Sequence, residues 1–468
     1  MINNVGLQNY MQKGLTSCEK VKSQEKKEPA CTPIKRPSVS FAAAEAAKTA
    51  VIAPSTQLRN KEEIQKYNNV AQNLNKDNQK TLNTLLKTGV LLSDKTNDKS
   101  TLLDNLSAIC TTERLQGLDA KGILNETVSA IANPFIITQQ FGNVPDSMAT
   151  QILDKENEQR IKEGKQNQEN GKPLSQPLIT KADLKVTSSS CVAASIEFNL
   201  AKNQPAEFAR MINEVTSPKY SIDKTVNIDN ISTNMLEAKW LLEEFNTDFE
   251  IKSLDKVKVK IAPDKNALIR AKIQTVDKDP GERSVIDVLL QSTFMNIGSQ
   301  KSYNSLTDTR TGKYNPDNRG LTDIEKNIAE VLATGNGKVS VTYQILDDNG
   351  KLTGYECDLK TTKQQITDAL KMGENVIIGY TYTDEDKVVQ GGHEITILDI
   401  KKAKDGKEYF VCNDTDDNLS APVYYEVNEF LPKIHHAGLP KTALKDDVEF
   451  VQNWKEMIKQ YKDYRNAA

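Results

Sequence analysis

The sequence predicts an α+β fold in which a helical half precedes a half of antiparallel strands, with a small helical domain and a disordered tail ahead of both. Three observations point to it. Apolar residues recur at helical spacing between Asn60 and Pro134, strand-like alternation is concentrated after Val339, and the first 55 residues or so show neither.

Residues 1–55 mix Lys, Glu, Ser and Pro without periodicity and cannot bury enough apolar surface to order themselves, so they read as a tail. In residues 56–150 the spacing of Ile64, Tyr67, Val70 and Leu74, of Leu82, Leu85 and Leu86, of Leu102, Leu103, Leu106 and Ile109, and of Ile123, Leu124, Val128 and Ile131 predicts helices. Between Asp154 and Lys172 Ile161 is the sole aliphatic or aromatic residue, and Gly171, Lys172 and Pro173 follow, which marks 151–178 as a charged linker.

Residues 179–435 then read as one mixed domain. Helices are expected at 191–203, 231–245, 284–297, 322–333 and 362–372, and Thr322 with Glu325 forms a capping box. Val339, Val341, Tyr343 and Ile345 alternate up to a turn at Asp348-Asn349-Gly350, from which Leu352 to Leu359 can return as a hairpin. Further strands are expected at 376–383, 394–400, 408–413 and 423–427, and residues 436–468 close the chain as a helix around Phe450, Val451, Trp454 and Ile458.

Composition excludes several functions. A net charge of -3 on 468 residues, with no basic stripe interleaved with aromatics, leaves no footprint for nucleic acid. The run FAAAEAAKTAVIA is broken by Glu45 and Lys48, so no membrane segment is expected. The first residues lack the apolar core of a signal peptide, which predicts a cytoplasmic protein or one exported by a route without a classical signal. The six cysteines contain no CxxC pair, so neither a zinc site nor a disulfide scaffold is expected, and no cofactor.

The chemistry gathers around one histidine. His393 follows Gly391 and Gly392 and precedes the alternating Ile395 and Ile397, so it stands at the mouth of a strand. The turn at Lys404-Asp405-Gly406-Lys407 folds the next strand back, placing Asp414 opposite about residue 395. That is one diagonal step from His393, roughly 7 Å, a gap side chains close. Asn413 points to the opposite face of a regular strand, so one of the two can orient the imidazole, and Asp414 is favoured.

The matching nucleophile is Cys191. It follows Thr187, Ser188, Ser189 and Ser190 and opens an apolar helical pattern at Val192, Ile196 and Leu200, where the positive end of the helix dipole stabilises a thiolate. Cys18 and Cys31 lie in the tail, Cys110 near a helix end, and Cys357 and Cys412 within expected strands.

The order cysteine at a helix start, histidine on a strand, Asn or Asp on the next strand resembles the papain-like cysteine peptidase superfamily over about residues 180–430. LKMGENVIIGYTYT, GGHEITILDI and EYFVCNDTDD resemble the C39-type layout, and the long interval holding SVIDVLLQSTFMNIGSQKSY resembles the calpain-type one. The resemblance implies a papain-like catalytic domain acting on a protein or peptide substrate. Cys191 would be its nucleophile, His393 its base and then acid, and Asp414 or Asn413 the orienter. Where the family places an oxyanion glutamine, about six residues before the cysteine, this chain has Lys185. Ser188, Thr187 or Gln176 are then the candidates beside the N–H of Cys191. The helical domain would be a prodomain or targeting module, with the linker as a self-processing site.

Other readings stand beside this one. The same trio serves transglutaminase- or deamidase-type acyl transfer, and a papain fold can persist as a non-catalytic binding protein. A buried cysteine at a helix start is commonly a small hydrophobe. His435 and His436, after Pro432, read as solvated loop histidines. The run Asp414, Asp416, Asp417, Asn418 has Leu419 where a calcium loop needs glycine, so no metal is expected there.

Overall fold

Capping residues set the first helices. In the computed structural model, Asn60 accepts from the Glu63 N–H to open α1 (Lys61–Asn73), and Asn75 does the same for α2 (Lys76–Lys87). A capping box between Thr101 and Asp104 opens α3 (Leu102–Thr111), and Asp119 caps α4 (Ala120–Ala132). The structure describes residues 55–140, 189–229, 235–276, 281–310, 320–347, 349–416 and 420–444, with a few single positions in 157–165 and 456–463. The tail to residue 54, nearly all of the 151–178 linker and most of the closing helix therefore lie outside the described residues.

The helical half begins at α5 (Cys191–Asn203), followed by α6 (Pro205–Thr216), whose proline sits where a helix needs no N–H donor. Then come β1 (Ile222–Val226), α7 (Met235–Glu244), β2 (Asp248–Glu250), β3 (Val257–Ile261), α8 (Ala267–Val276), α9 (Val285–Gly298) and α10 (Asp323–Thr334). The strands form a small antiparallel sheet in the order β1-β3-β2, which the sequence reading lacks, as it does α6 and α8. α10 starts on the expected Thr322–Glu325 capping box and stops at Gly335, whose left-handed φ of 80° costs glycine little.

From Val70, Leu82, Leu103 and Leu124 in the first four helices to Ile196, Phe208, Leu289 and Ile328, one apolar core runs without a break. α3 packs on α6, and α9 packs on both α5 and α8. α5 is buried on nearly every side, which explains its weak amphipathicity: it is the central helix and has no solvent face.

The second half comprises β4 (Val339–Thr342), β5 (Gln344–Leu346), β6 (Leu352–Tyr355), α11 (Leu359–Lys371), β7 (Val376–Thr383), β8 (Val389–Lys402), β9 (Glu408–Asn413), β10 (Val423–Glu426), the one-turn α12 (Val427–Phe430) and β11 (Ile434–Leu439). Six of these strands make an antiparallel sheet in the order β10-β9-β8-β7-β11-β4. α11 covers one face, where Ile366 and Ala369 meet Val376, Ile378, Ile395 and Ile397; α5 and α10 cover the other, where Ile377 joins the helical core.

Four expectations are corrected here. The alternation at 339–345 is not one strand: Tyr343 leaves the ladder, its N–H donating to the His435 carbonyl at 2.7 Å and its hydroxyl to Gln365 at 2.9 Å, so that β5 alone pairs with β6. Leu359 opens a helix, because Asp358 caps the Thr361 N–H. Cys357 accordingly lies between β6 and α11 and not inside a strand. His435 and His436 are not loop residues but lie buried in β11, between β7 and β4, and that strand crosses the boundary placed at residue 435. Among the described residues no helix is long and apolar enough to cross a membrane.

Candidate functional site

The first residue of α5 is Cys191, half-buried, and the helix begins without a side-chain cap. Ser190, which a capping rule would direct at the first-turn N–H groups, instead donates its hydroxyl to Gln291 Oε1 at 3.0 Å and accepts from Arg283 Nη2. Ser189 is held by Asp308: its N–H donates to Oδ2 at 2.5 Å and its hydroxyl to the backbone carbonyl at 3.0 Å. With both serines diverted, neither caps the first-turn N–H groups, and Cys191 stands at the positive end of the helix dipole.

His393 sits in β8 opposite Tyr380 of β7, against whose ring it packs edge-on at 5.8 Å. Its Nε2 lies 2.8 Å from Asp414 Oδ1. A carboxylate only accepts, so Nε2 carries the hydrogen and Nδ1 is the nitrogen left for Cys191. Burial presses the His393 pKa down. The Asp414 charge and hydrogen bond, followed by the hydrogen bond and charge of Cys191, more than reverse this and hold it well above the usual histidine value. Asp414 is bonded to the imidazole, and Cys191 is near enough to contribute to its charge.

Asp414 is the mirror case. Burial pushes its carboxyl upward, but His393, the Asp416 N–H at 3.1 Å and the Tyr425 hydroxyl at 3.0 Å hold it below the ordinary value. The register accounts for the choice between neighbours. Thr396 pairs with Asn413 and Ile397 with Cys412, so Asp414 emerges just past the end of β9 beside His393. Asn413 is buried opposite Thr396, and its Nδ2 has no hydrogen-bond partner among the described residues. Thr187, Ser188, Gln176 and Lys185, the positions named for the oxyanion side, lie outside the described residues.

Residues that the sequence reading passed over complete the surroundings. The segment 138–140, beyond the end of α4, lies between the two halves. Gln139 donates its N–H to the Thr415 carbonyl at 3.0 Å and accepts from the Thr415 hydroxyl at 3.0 Å, while Thr138 donates to the same carbonyl at 3.1 Å. On the other side Arg283 Nε donates to the Gln139 carbonyl at 3.0 Å, and the Arg283 N–H to that of Gln140 at 3.0 Å. No periodicity signals Gln139, Arg283, Asp308 or Tyr425, since each acts on a partner distant in the chain or across a strand.

A second polar cluster lies on the α10 side of the sheet. His436 Nε2 is 2.7 Å from Glu394 Oε1, the Nδ1 atoms of His435 and His436 are 2.8 Å apart, and Lys326, Asn327 and Glu330 are buried beside Gly438. Among the described residues no group of three or more His, Cys, Asp or Glu side chains is placed to hold a metal ion. Set against known proteins, the chain matches no family model, and no curated protein matches it significantly.

Proposed function

We propose that the protein is a cysteine peptidase with a papain-like catalytic core, in which Cys191 is the nucleophile, His393 the acid–base group and Asp414 the orienter. The observation that carries this reading is one buried imidazole whose Nε2 lies 2.8 Å from Asp414 and whose charge Cys191, the first residue of a helix that Ser190 does not cap, helps to hold.

The chemistry follows from that placement. With its proton held by His393, the sulfur of Cys191 attacks the carbonyl carbon of a peptide bond, and the developing oxyanion is met by the backbone N–H groups of the first turn of α5. The C–N bond breaks as His393 passes the proton to the leaving amine, leaving a thioester. Water then gives a proton to His393 while its oxygen attacks the thioester, and the C–S bond breaks to release the acid and return the thiol. Asp414 keeps the imidazole in one orientation and stabilises its charged form. The charged linker at 151–178 is a candidate site of self-processing.

The test is labelling with a peptidyl electrophile directed at thiol peptidases, comparing the parent chain with Cys191→Ala and His393→Ala. Labelling confined to Cys191 and lost in both variants is expected, with a cleaved product in the mass spectrum of a protein substrate or of the chain itself. Labelling at Cys110 or Cys357 instead, with no cleaved product, defeats the proposal.

A further inference from the structure

The geometry points to the segment Thr138–Gln140 as a positioning strap that sets the nucleophile helix against the His–Asp strands, with Gln139 as its hub. This rests on the reading of Cys191, His393 and Asp414 as the reacting groups. It changes what the N-terminal helices are: a constituent of the catalytic unit and not a segment the unit can shed.

Cys191 belongs to the helical half and Asp414 to the sheet half, so their separation is set by whatever joins the halves at the site. Segment 138–140 bonds to both. Towards the sheet, Thr138 and the Gln139 N–H donate to the Thr415 carbonyl and the Thr415 hydroxyl donates to Gln139, three bonds that hold the residue after Asp414, and the Gln140 side chain reaches the Asp416 carbonyl at 3.3 Å. Asp416 in turn donates its N–H to Asp414, so the turn held by the strap is the turn that shapes the carboxylate.

Towards the helix, Arg283 reads the backbone of Gln139 and Gln140 and touches the hydroxyl of Ser190, one residue before the nucleophile. Gln291 repeats the pattern, its Nε2 donating to the Thr138 carbonyl at 2.9 Å while its Oε1 receives Ser190. Two side chains of the helical half therefore tie the strap to Ser190 independently.

These bonds are buried. Gln139 is 5% exposed, Thr415 1% and Arg283 1% exposed, so water cannot replace a lost partner cheaply. The strap is anchored upstream by Ile137, which belongs to the same apolar core as α1 to α6. Displacement by about 1 Å is enough to cost two orders of magnitude in a reaction that depends on aligned groups. That is the scale on which a loosened turn at Thr415 would act.

The experiment reads the rate of Cys191 alkylation by iodoacetamide against pH, in the full chain, for the parent, Thr415→Val, Thr415→Ser and Gln139→Ala. Valine keeps the shape of Thr415 and removes the hydroxyl; serine keeps the hydroxyl. Under the strap reading Thr415→Val and Gln139→Ala lose about tenfold or more of the rate at pH 6, their profiles approaching that of an ordinary thiol, while Thr415→Ser retains the parent profile. Thermal melting shows whether each variant is folded, and Gln139→Ala carries the test if the valine variant is not. Parent-like profiles in folded Thr415→Val and Gln139→Ala overturn the strap. A parent in which Cys191 reacts no faster than Cys110 or Cys357 at pH 6 instead overturns the peptidase reading beneath it.

Discussion

Replacing Asp414 by Asn isolates the electrostatic part of the site, because the amide keeps an oxygen acceptor near His393 Nε2 and loses the charge. Two unit charges about 4 Å apart at an effective dielectric near 20 interact by about 4 kcal/mol. At about 1.36 kcal/mol per pKa unit that is a ceiling of roughly three units, and relaxation of Tyr425 and the Asp416 turn brings the expected fall in the His393 pKa to about one to two. The sign is fixed by the direction of each shift. His393 is held above its unfolded value, so its share of stability is fully present below about pH 6.5 and is lost as pH rises through the folded pKa. Asp414 is held below its unfolded value, so its share is present above about pH 4 and is lost as pH falls through the folded pKa.

Under the proposed mechanism loss of the imidazolium proton forms the alkaline limb of turnover, so Asp414→Asn should move that limb of kcat/KM toward neutrality by about one to two units. Tyr425→Phe, which removes the hydroxyl donated to Asp414 Oδ2 and so leaves more of the carboxylate charge facing the imidazolium, should not move that limb toward neutrality. Asn413→Ala should leave it in place, since Asn413 faces Thr396 and not His393. Direct NMR titration of the His393 ring checks the assignment without relying on turnover. An alkaline limb and ring titration that Asp414→Asn leaves unmoved, or that Asn413→Ala moves instead, would refute the reasoning.

Two further outcomes test the supporting structure. Glu197, buried in α5, has its carboxyl driven well above the ordinary value by burial and then by the charge of Asp287, against the hydrogen bond from Gln291. A carboxyl raised in the fold costs stability as pH climbs above about 4.3, so Glu197→Gln should flatten the decline in stability between about pH 5 and 8, measured by urea midpoint; an unchanged slope would show that Glu197 is ionised in the fold. Gly379 faces the His436–Glu394 pair so closely that a β-carbon would fall among their atoms. Gly379→Ala should therefore destabilise by about 1–3 kcal/mol, and a melting temperature equal to that of the parent would show that the pair is free to move aside.

What the sequence made legible was whatever acts through near neighbours. The helix that opens on Cys191 was readable because Val192, Ile196 and Leu200 repeat along one element, and the placement of Asp414 because a single tight turn sets how β8 and β9 pair. β11 was not readable: His-His-Ala-Gly looks like a loop, and the polar pair is tolerated inside a sheet because Glu394 stands two strands away with glycine between them and α10 brings polar side chains to the same face. The strap, Arg283 and Asp308 were not readable either, for the same reason. Their partners are separated by long stretches of chain, and no local rule connects a buried glutamine after one helix to a threonine beyond the last residue of β9. Ser190 shows the consequence most directly. A serine before an apolar helix should cap it, and its failure to do so is explained by Arg283 and Gln291, which draw the hydroxyl away and leave the helix start open toward Cys191. The local rule is broken at the helix start that carries the proposed nucleophile, and the two residues that break it also bond to segment 138–140, which in turn holds Thr415 of the sheet half.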